Sequence, residues 1–142
     1  MPENDFKVAV VPCGGIGRLV STVVKQAGYM IARDRPDDVV LVSSGSLTGN
    51  VREALEAARK YPLVLIDGCR PRCASAIAEG KQLNAAAAIY VADVAAAYKI
   101  SIAGEKRTGL TAEKGMKLAR AVADEAIKKI DWLIADEMMS TF

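Results

Sequence analysis

The chain has 142 residues, enough for one domain with its own core, and we predict a single α/β domain over residues 1–142. A net charge of +2 without a basic stripe argues against nucleic-acid binding, and the complete absence of histidine excludes the commonest metal ligand and the usual base of hydrolytic triads. Three cysteines, an acidic polar start (MPENDFK) and apolar stretches too short to span a bilayer predict a cytoplasmic protein without membrane contact.

Buried strands alternate with helices in the first half of the chain. The β-branched run at residues 6–11 predicts a strand buried on both faces, and the glycines of CGGIG then lead into a helix over about 16–30. Gly28 is expected to loosen the last turn of that helix. A second strand is predicted at 39–42, followed by the loop SSGSLTGN, in which Asn50 would cap the helix VREALEAARKY.

The second half begins with a predicted strand at residues 63–66, and Pro71 fits the first turn of the helix RCASAIAEGKQ. A fourth strand is expected at about 87–92, ending in Asp93. The segment 94–110 has no clear pattern. The alternating apolar residues Tyr98, Ile100 and Ile102 are typical of a short edge strand. The sequence GEKRTG is typical of a loop.

The last predicted element is the longest helix, about 111–135, with Thr111 as its cap. Alternation of strands and helices predicts a three-layer α/β fold, flavodoxin-like or Rossmann-like, with a mostly parallel sheet of four or five strands. Short right-handed crossovers favour the strand order 2-1-3-4. In that order strands one and three are neighbours at the switch point, so Cys13 and Cys69 would face each other there.

All three cysteines lie where a predicted strand passes into a helix: Cys13 in VVPCGGIG, and Cys69 and Cys73 in DGCRPRC. Helix amino termini stabilise anions, and nearby arginines add positive charge, so the pKa values of these thiols are expected to be lowered. Those arginines are Arg18, Arg70 and Arg72. If the helix starts at Pro71, the Cα atoms of Cys69 and Cys73 would be about 6 Å apart across its first turn.

Three clustered thiolates predict a zinc site whose ligands are Cys13, Cys69 and Cys73. The fourth position would go to Asp67, to Ser43 or Ser44, or to water, and three protein ligands with an open position are typical of catalytic zinc. An aspartate at a strand end more often accepts backbone N–H bonds in the turn, so we favour that role for Asp67 over the role of ligand. Thiolate clusters also suit Cu(I) or an incomplete iron–sulfur site. An anion cradle is a further interpretation of Gly14, Gly15, Gly17 and Arg18, although the glycines equally suit a tight strand-to-helix turn.

The motifs VVPCGGIG and IDGCRPRCA resemble the DGC-domain proteins, a family of small α/β domains named for an Asp-Gly-Cys motif and associated with zinc binding. The resemblance covers about residues 7–93 and leaves the last helix unassigned. It implies a cysteine-based zinc site that uses Cys13, Cys69 and Cys73. Members of the family usually carry a fourth cysteine near the end of strand two, where this chain has LVSSGSLTG.

Other functions fit the same residues. CGGIGR resembles the loops of cysteine-phosphorylated sugar-transport subunits and of small tyrosine phosphatases, which implies phosphoryl-transfer or oxyanion chemistry with Cys13 as nucleophile. A thiol–disulfide protein would use Cys13 with the Cys69/Cys73 pair. A zinc carrier or sensor would need no catalysis at all. Apolar excess in AAAAIYVADVAAAY and in the last helix leaves a homodimer open.

Overall fold

The computed structural model describes residues 5–15, 18–68, 70–105 and 113–140. Its strands are β1 (Val8–Pro12), β2 (Val39–Leu41), β3 (Leu63–Asp67) and β4 (Ala85–Tyr90). They form one four-stranded parallel sheet in the order β2-β1-β3-β4. The predicted fold class and strand order are therefore confirmed.

Six helices cover the two faces of this sheet within the described part of the chain. They are α1 (Leu19–Asp34), α2 (Ser44–Thr48), α3 (Arg52–Lys60), α4 (Cys73–Gly80), α5 (Val91–Tyr98) and α6 (Glu113–Ser140). The longest pair, α1 and α6, pack against each other, while α4 packs against β3 and α2. Because β1 and β3 are the central strands, nearly all their side chains are buried, as their continuous apolar runs predict.

The first helix continues past its predicted end at residue 30 to Asp34, so Gly28 lies inside the helix and not in its last turn. A Cβ atom at position 28 would lie 3.1 Å from Cγ of Pro12, so the missing side chain lets α1 pass close to the end of β1. Ile16, the predicted first residue of this helix, lies outside the described residues.

The loop predicted for SSGSLTGN contains the short helix α2, so that prediction is wrong. Ser43 caps α2 with its hydroxyl oxygen, which accepts a hydrogen bond from the backbone N–H of Ser46 at 3.4 Å. Asn50 does not cap α3, because Val51 holds that position. Asn50 instead adopts a left-handed φ of 58°, and its side-chain oxygen accepts a 2.6 Å bond from Lys81 Nζ.

Two predictions failed in the region after β3. The helix expected to start at Pro71 begins at Cys73, because Arg72 before it has a left-handed φ of 51°. The edge strand proposed around Tyr98 is wrong: α5 follows β4 without a loop, and Asp93 lies in its first turn. Helix propensity of the alanines in VADVAAAY outweighs the short apolar alternation that follows them.

The amino terminus of α6 is capped from a distance in sequence. The carboxylate of Glu105 accepts backbone hydrogen bonds from Lys114 at 2.9 Å and from Gly115 at 3.2 Å. Thr111, the predicted cap, lies outside the described residues. Across the part of the chain that the structure describes, no helix has the length and apolar character needed to cross a bilayer.

Candidate functional site at the carboxyl edge of the sheet

Cys13 is the first residue after β1, at the carboxyl edge of the central pair of strands. Its side chain is buried, with 1% of its surface exposed. Its backbone N–H donates a 2.9 Å hydrogen bond to the carbonyl oxygen of Ile66 in β3. The parallel pairing of β1 with β3 therefore extends to Cys13 and fixes its height at the sheet edge.

Gly68, the residue between β3 and Cys69, lies directly against Cys13. A Cβ atom on Gly68 would be 3.3 Å from Sγ of Cys13 and 2.9 Å from Cγ2 of Val24 in α1. A side chain at position 68 could not be accommodated without a shift of its neighbours. The glycine of Asp-Gly-Cys thus allows the turn after β3 to approach the sulfur of Cys13.

The other two cysteines follow Gly68 in the sequence. Cys69 lies outside the described residues, so the predicted meeting of Cys13 with Cys69 across the switch point stays a prediction. Cys73 is the first residue of α4 and is exposed. Because α4 starts at Cys73 and not at Pro71, the helix start on which the predicted spacing of the Cys69/Cys73 pair depended is wrong.

Asp67, the last residue of β3, is buried and bonds to the first turn of α4. One carboxylate oxygen accepts a 3.2 Å hydrogen bond from the backbone N–H of Ser75, and the other accepts a short hydrogen bond from the Ser75 hydroxyl. The carboxylate therefore accepts a backbone N–H bond, as predicted by the interpretation of Asp67 as a backbone acceptor and not as a zinc ligand. Its donor lies eight residues away in a helix, not in the adjacent turn.

The arginines predicted to add positive charge take different positions. The guanidinium group of Arg72 stacks over the ring of Tyr90, with its central carbon 4.3 Å from the ring centroid. Arg70 is exposed in the turn before α4. Arg18 is exposed and occupies the N-cap position of α1, where its side chain makes no capping hydrogen bond.

The Gly14–Gly15 turn, predicted to cradle an anion, packs against two serine hydroxyls. A Cβ on Gly14 would lie 2.5 Å from Oγ of Ser44, and one on Gly15 would lie 2.7 Å from Oγ of Ser21. Both serines are buried. The glycines are therefore needed for close approach to α2 and α1, while Gly17, the third member of the predicted cradle, lies outside the described residues.

Metal-ligating side chains do not form a complete set in the part of the chain that the structure describes. Within those ranges, no group of three or more cysteine, aspartate or glutamate residues is placed to hold one ion. The predicted zinc set includes Cys69, which lies outside them, and it remains a prediction.

Two serine hydroxyls make contacts at this edge of the sheet that were not predicted from the sequence, that of Ser75 with Asp67 and that of Ser44 with Gly14. The bond between Ser75 and Asp67 had no signal in the sequence, because its partners belong to a helix and a strand joined by an irregular turn. The orientation of Ser44 toward Gly14 could be anticipated only in outline, from the placement of SSGS after the second strand.

The protein is of the α/β class, with a parallel sheet. Its buried cysteine, Cys13, lies at the switch point of that sheet and packs against Gly68 of the Asp-Gly-Cys motif. A family model for the DGC domain matches residues 9–122, most of the chain. The protein belongs to the DGC-domain family. The match extends past residue 93 into α6, beyond the region that the sequence motifs covered. Searches of curated proteins and of solved structures gave no match.

Proposed function

We propose that the protein binds one zinc ion through the thiolates of Cys13, Cys69 and Cys73. The observation that carries this proposal is the contact between Cys13 Sγ and Gly68, the residue immediately before Cys69. It brings the sulfur of Cys13 to the turn that carries the second thiol, although 56 positions separate them in the sequence. Thiolates are preferred zinc ligands, and a protein without histidine has few others.

The turn between β3 and α4 is anchored at both ends. Gly68 is wedged between Cys13 and Val24 at one end, and Ser75 is bonded to Asp67 at the other. Because only a few residues separate these anchors, the length of the chain between them limits how far the thiols of this segment can lie from the carboxyl edge of β3.

The fourth position of such a site suits an exchangeable ligand. Asp67 was one candidate for it, but both of its carboxylate oxygens accept hydrogen bonds from Ser75. We therefore assign Asp67 to holding the turn. Three thiolates with water in the fourth position suit a zinc enzyme, and the same set suits a zinc carrier or sensor.

The burial of Cys13 favours this role over phosphoryl transfer. A nucleophile must reach a phosphorus atom in line with the leaving group, which requires an approachable sulfur. Cys13 is 1% exposed, and the adjacent turn at Gly68 covers it. A buried thiolate that is shared with a metal ion needs no such access.

Metal content and free thiols, measured on one anaerobic preparation before and after chelation, test the proposal. We expect about one zinc per chain, with thiols that become reactive when the metal is removed. Cys13→Ser, Cys69→Ser and Cys73→Ser should each lower the zinc content, while Ser101→Ala, at an exposed serine on the segment after α5, should not.

Circular dichroism spectra of the variants separate loss of ligand from loss of fold. Unchanged zinc content in all three cysteine variants would contradict the assignment. A metal-free protein with three reactive thiols would also contradict it and would direct attention to Cys13 as a nucleophile. Reversible loss of two thiols on mild oxidation, without metal, would instead indicate a thiol–disulfide protein.

A further inference from the structure

A cavity of about 300 Å³ lies beside Cys13, on the β2 side of the sheet edge. It is partly open to solvent and is lined by the ends of β1 and β2, the start of α2 and one face of α1. The residues that define its chemistry are Cys13, Lys25, Tyr29, Leu41, Val42 and Ser44. Its volume is at the small end of the range for small-molecule sites, which are mostly apolar with a few polar groups.

The hydroxyl of Ser44 is the first sign that this cavity holds a ligand. Ser44 is 7% exposed, and its Oγ has no hydrogen-bond partner among the residues that the structure describes. This Oγ lies against Gly14, which lines the same cavity. Because buried hydroxyls nearly always find a partner, a polar group from outside the chain is expected there.

The charge of the cavity is the second sign. Lys25 is its only charged lining residue, and no carboxylate lines it within the described ranges. The ammonium group of Lys25 forms no salt bridge with any described residue. Tyr29 lies one helical turn after Lys25 on α1 and lines the same cavity. The cavity is therefore complementary to a ligand of negative charge.

We propose that this cavity binds a small carboxylate with an apolar body. Lys25 would neutralise the carboxylate, and the Ser44 hydroxyl would donate a hydrogen bond to it. Leu41, Val42 and Tyr29 would cover the apolar part. The site goes beyond zinc binding, because none of these contacts requires a metal ion.

Benzoate is a suitable probe, because it combines one carboxylate with one apolar ring. Titration of the full chain with benzoate, followed by calorimetry and by amide shifts in NMR spectra, should show saturable binding with shifts confined to the cavity. Benzylamine, which has the same ring and the opposite charge, should not bind. Absence of saturable benzoate binding, or equal binding of the two compounds, would overturn the proposal.

Variants test the two polar contacts. Ser44→Ala should weaken benzoate binding roughly tenfold, the expected loss of one hydrogen bond to a charged group. Lys25→Glu should abolish it. Lys99→Glu makes the same charge change at an exposed lysine outside this cavity and should leave the affinity unchanged. Lys25 is exposed, so its variant should fold, and thermal melts check this. Equal affinity in Lys25→Glu and wild type would contradict the assignment.

Two further experiments test whether the bound anion is a metal ligand and whether the site selects for an apolar body. The titration is repeated after chelation, and binding should persist there. If chelation abolished it, the anion would be a metal ligand and the proposal would fail, whereas the zinc proposal would stand. Inorganic phosphate should not displace benzoate at equal concentration, and full displacement would show a simple oxyanion site without selectivity for an apolar body.

Discussion

At the scale of single residues, close packing explains why the Asp-Gly-Cys motif has a glycine. Position 68 has no room for a side chain between Cys13 Sγ and Val24 Cγ2. The requirement comes from close approach, since Gly68 has no left-handed φ. The motif therefore positions the turn that follows β3 as well as supplying a thiol.

Gly68→Ala should destabilise the protein by about 1–3 kcal/mol, because the new methyl group overfills a packed contact. It should also weaken zinc binding by displacing Cys13 or the turn. Urea unfolding measures the first effect and a zinc competition titration the second.

Gly80→Ala is the matched control, because a Cβ at position 80 of α4 meets nothing within 4 Å. It should be neutral or stabilise by up to about 1 kcal/mol. Equal effects of the two substitutions would contradict the packing argument.

Ser75 is the second residue whose role is local and specific. Its backbone N–H and its hydroxyl both bond to the buried carboxylate of Asp67, so the helix that starts at Cys73 is tied to the end of β3. If a buried carboxylate loses a hydrogen-bond donor, the free energy of its desolvation is no longer offset and the folded state is destabilised.

Ser75→Ala should cost about 1–3 kcal/mol of unfolding free energy, and Ser75→Thr should restore most of it. Zinc affinity should fall in the first variant and recover in the second. Ser140→Ala removes an exposed serine hydroxyl near the end of α6 and should change stability by less than about 0.5 kcal/mol. A Ser75→Ala protein as stable as the wild type would show that the carboxylate does not depend on this hydroxyl.

At the scale of elements, an ion-pair group joins the two longest helices. Arg120 of α6 lies 2.8 Å from Asp34 at the end of α1 and 2.7 Å from Asp124 one turn along α6. Arg35, the residue after α1, makes two 2.9 Å hydrogen bonds to Asp131. These contacts add to the α1–α6 packing, which the buried apolar residues of both helices form.

The pKa of Asp34 is lowered from its ordinary value, chiefly by the hydrogen bond from Arg120. Because this pKa is lowered in the folded state, the ionised carboxylate stabilises the fold. This stabilisation is complete above the pKa of the unfolded state, about 4, and disappears as the pH falls through the pKa of the folded state. Asp34→Asn should therefore reduce the urea midpoint at pH 7, and the difference from wild type should shrink below about pH 4.

Asp136→Asn, at an exposed aspartate of α6 that forms no ion pair with any described residue, should show neither effect. A difference for Asp34→Asn that is constant with pH would contradict the proposed charge interaction.

Element boundaries show where sequence patterns work. The four strands were predicted within a few residues, and the two central strands, β1 and β3, are the continuous apolar runs expected of buried parallel strands. The helix α5 and the start of α4 were missed. Each depends on backbone geometry that a pattern does not encode: α5 follows β4 without a loop, and the residue before α4, Arg72, adopts a left-handed conformation while its side chain stacks on Tyr90.

At the scale of the whole molecule, the proposed zinc ligands come from the ends of two neighbouring strands that are distant in sequence. Such a site would exist only in the folded chain, so the proposal implies that zinc binding is linked to folding. The linkage gives a test that needs no knowledge of the protein's cellular role.

Zinc at a hundredfold excess over its dissociation constant should stabilise the fold by about 2.7 kcal/mol, and chelation should remove this effect. Thermal melts at several zinc concentrations measure it. Magnesium, which prefers oxygen ligands, should not stabilise the protein. The triple variant Cys13→Ser/Cys69→Ser/Cys73→Ser should melt at one temperature whatever the zinc concentration, and a zinc-dependent melt in that variant would place the metal elsewhere.

The sequence by itself determined the fold class and the placement of Cys13 at a strand end, because apolar runs and glycine-rich turns are local signals. The strand order followed from the alternation of strands and helices together with short right-handed crossovers. Only the tertiary structure decided which groups meet at that edge. The approach of Gly68 to Cys13, the bonds of Ser75 to Asp67 and the burial of Ser44 beside Gly14 join residues from different elements. Such contacts depend on how helices pack on the sheet to within about an ångström, and no single segment carries that information.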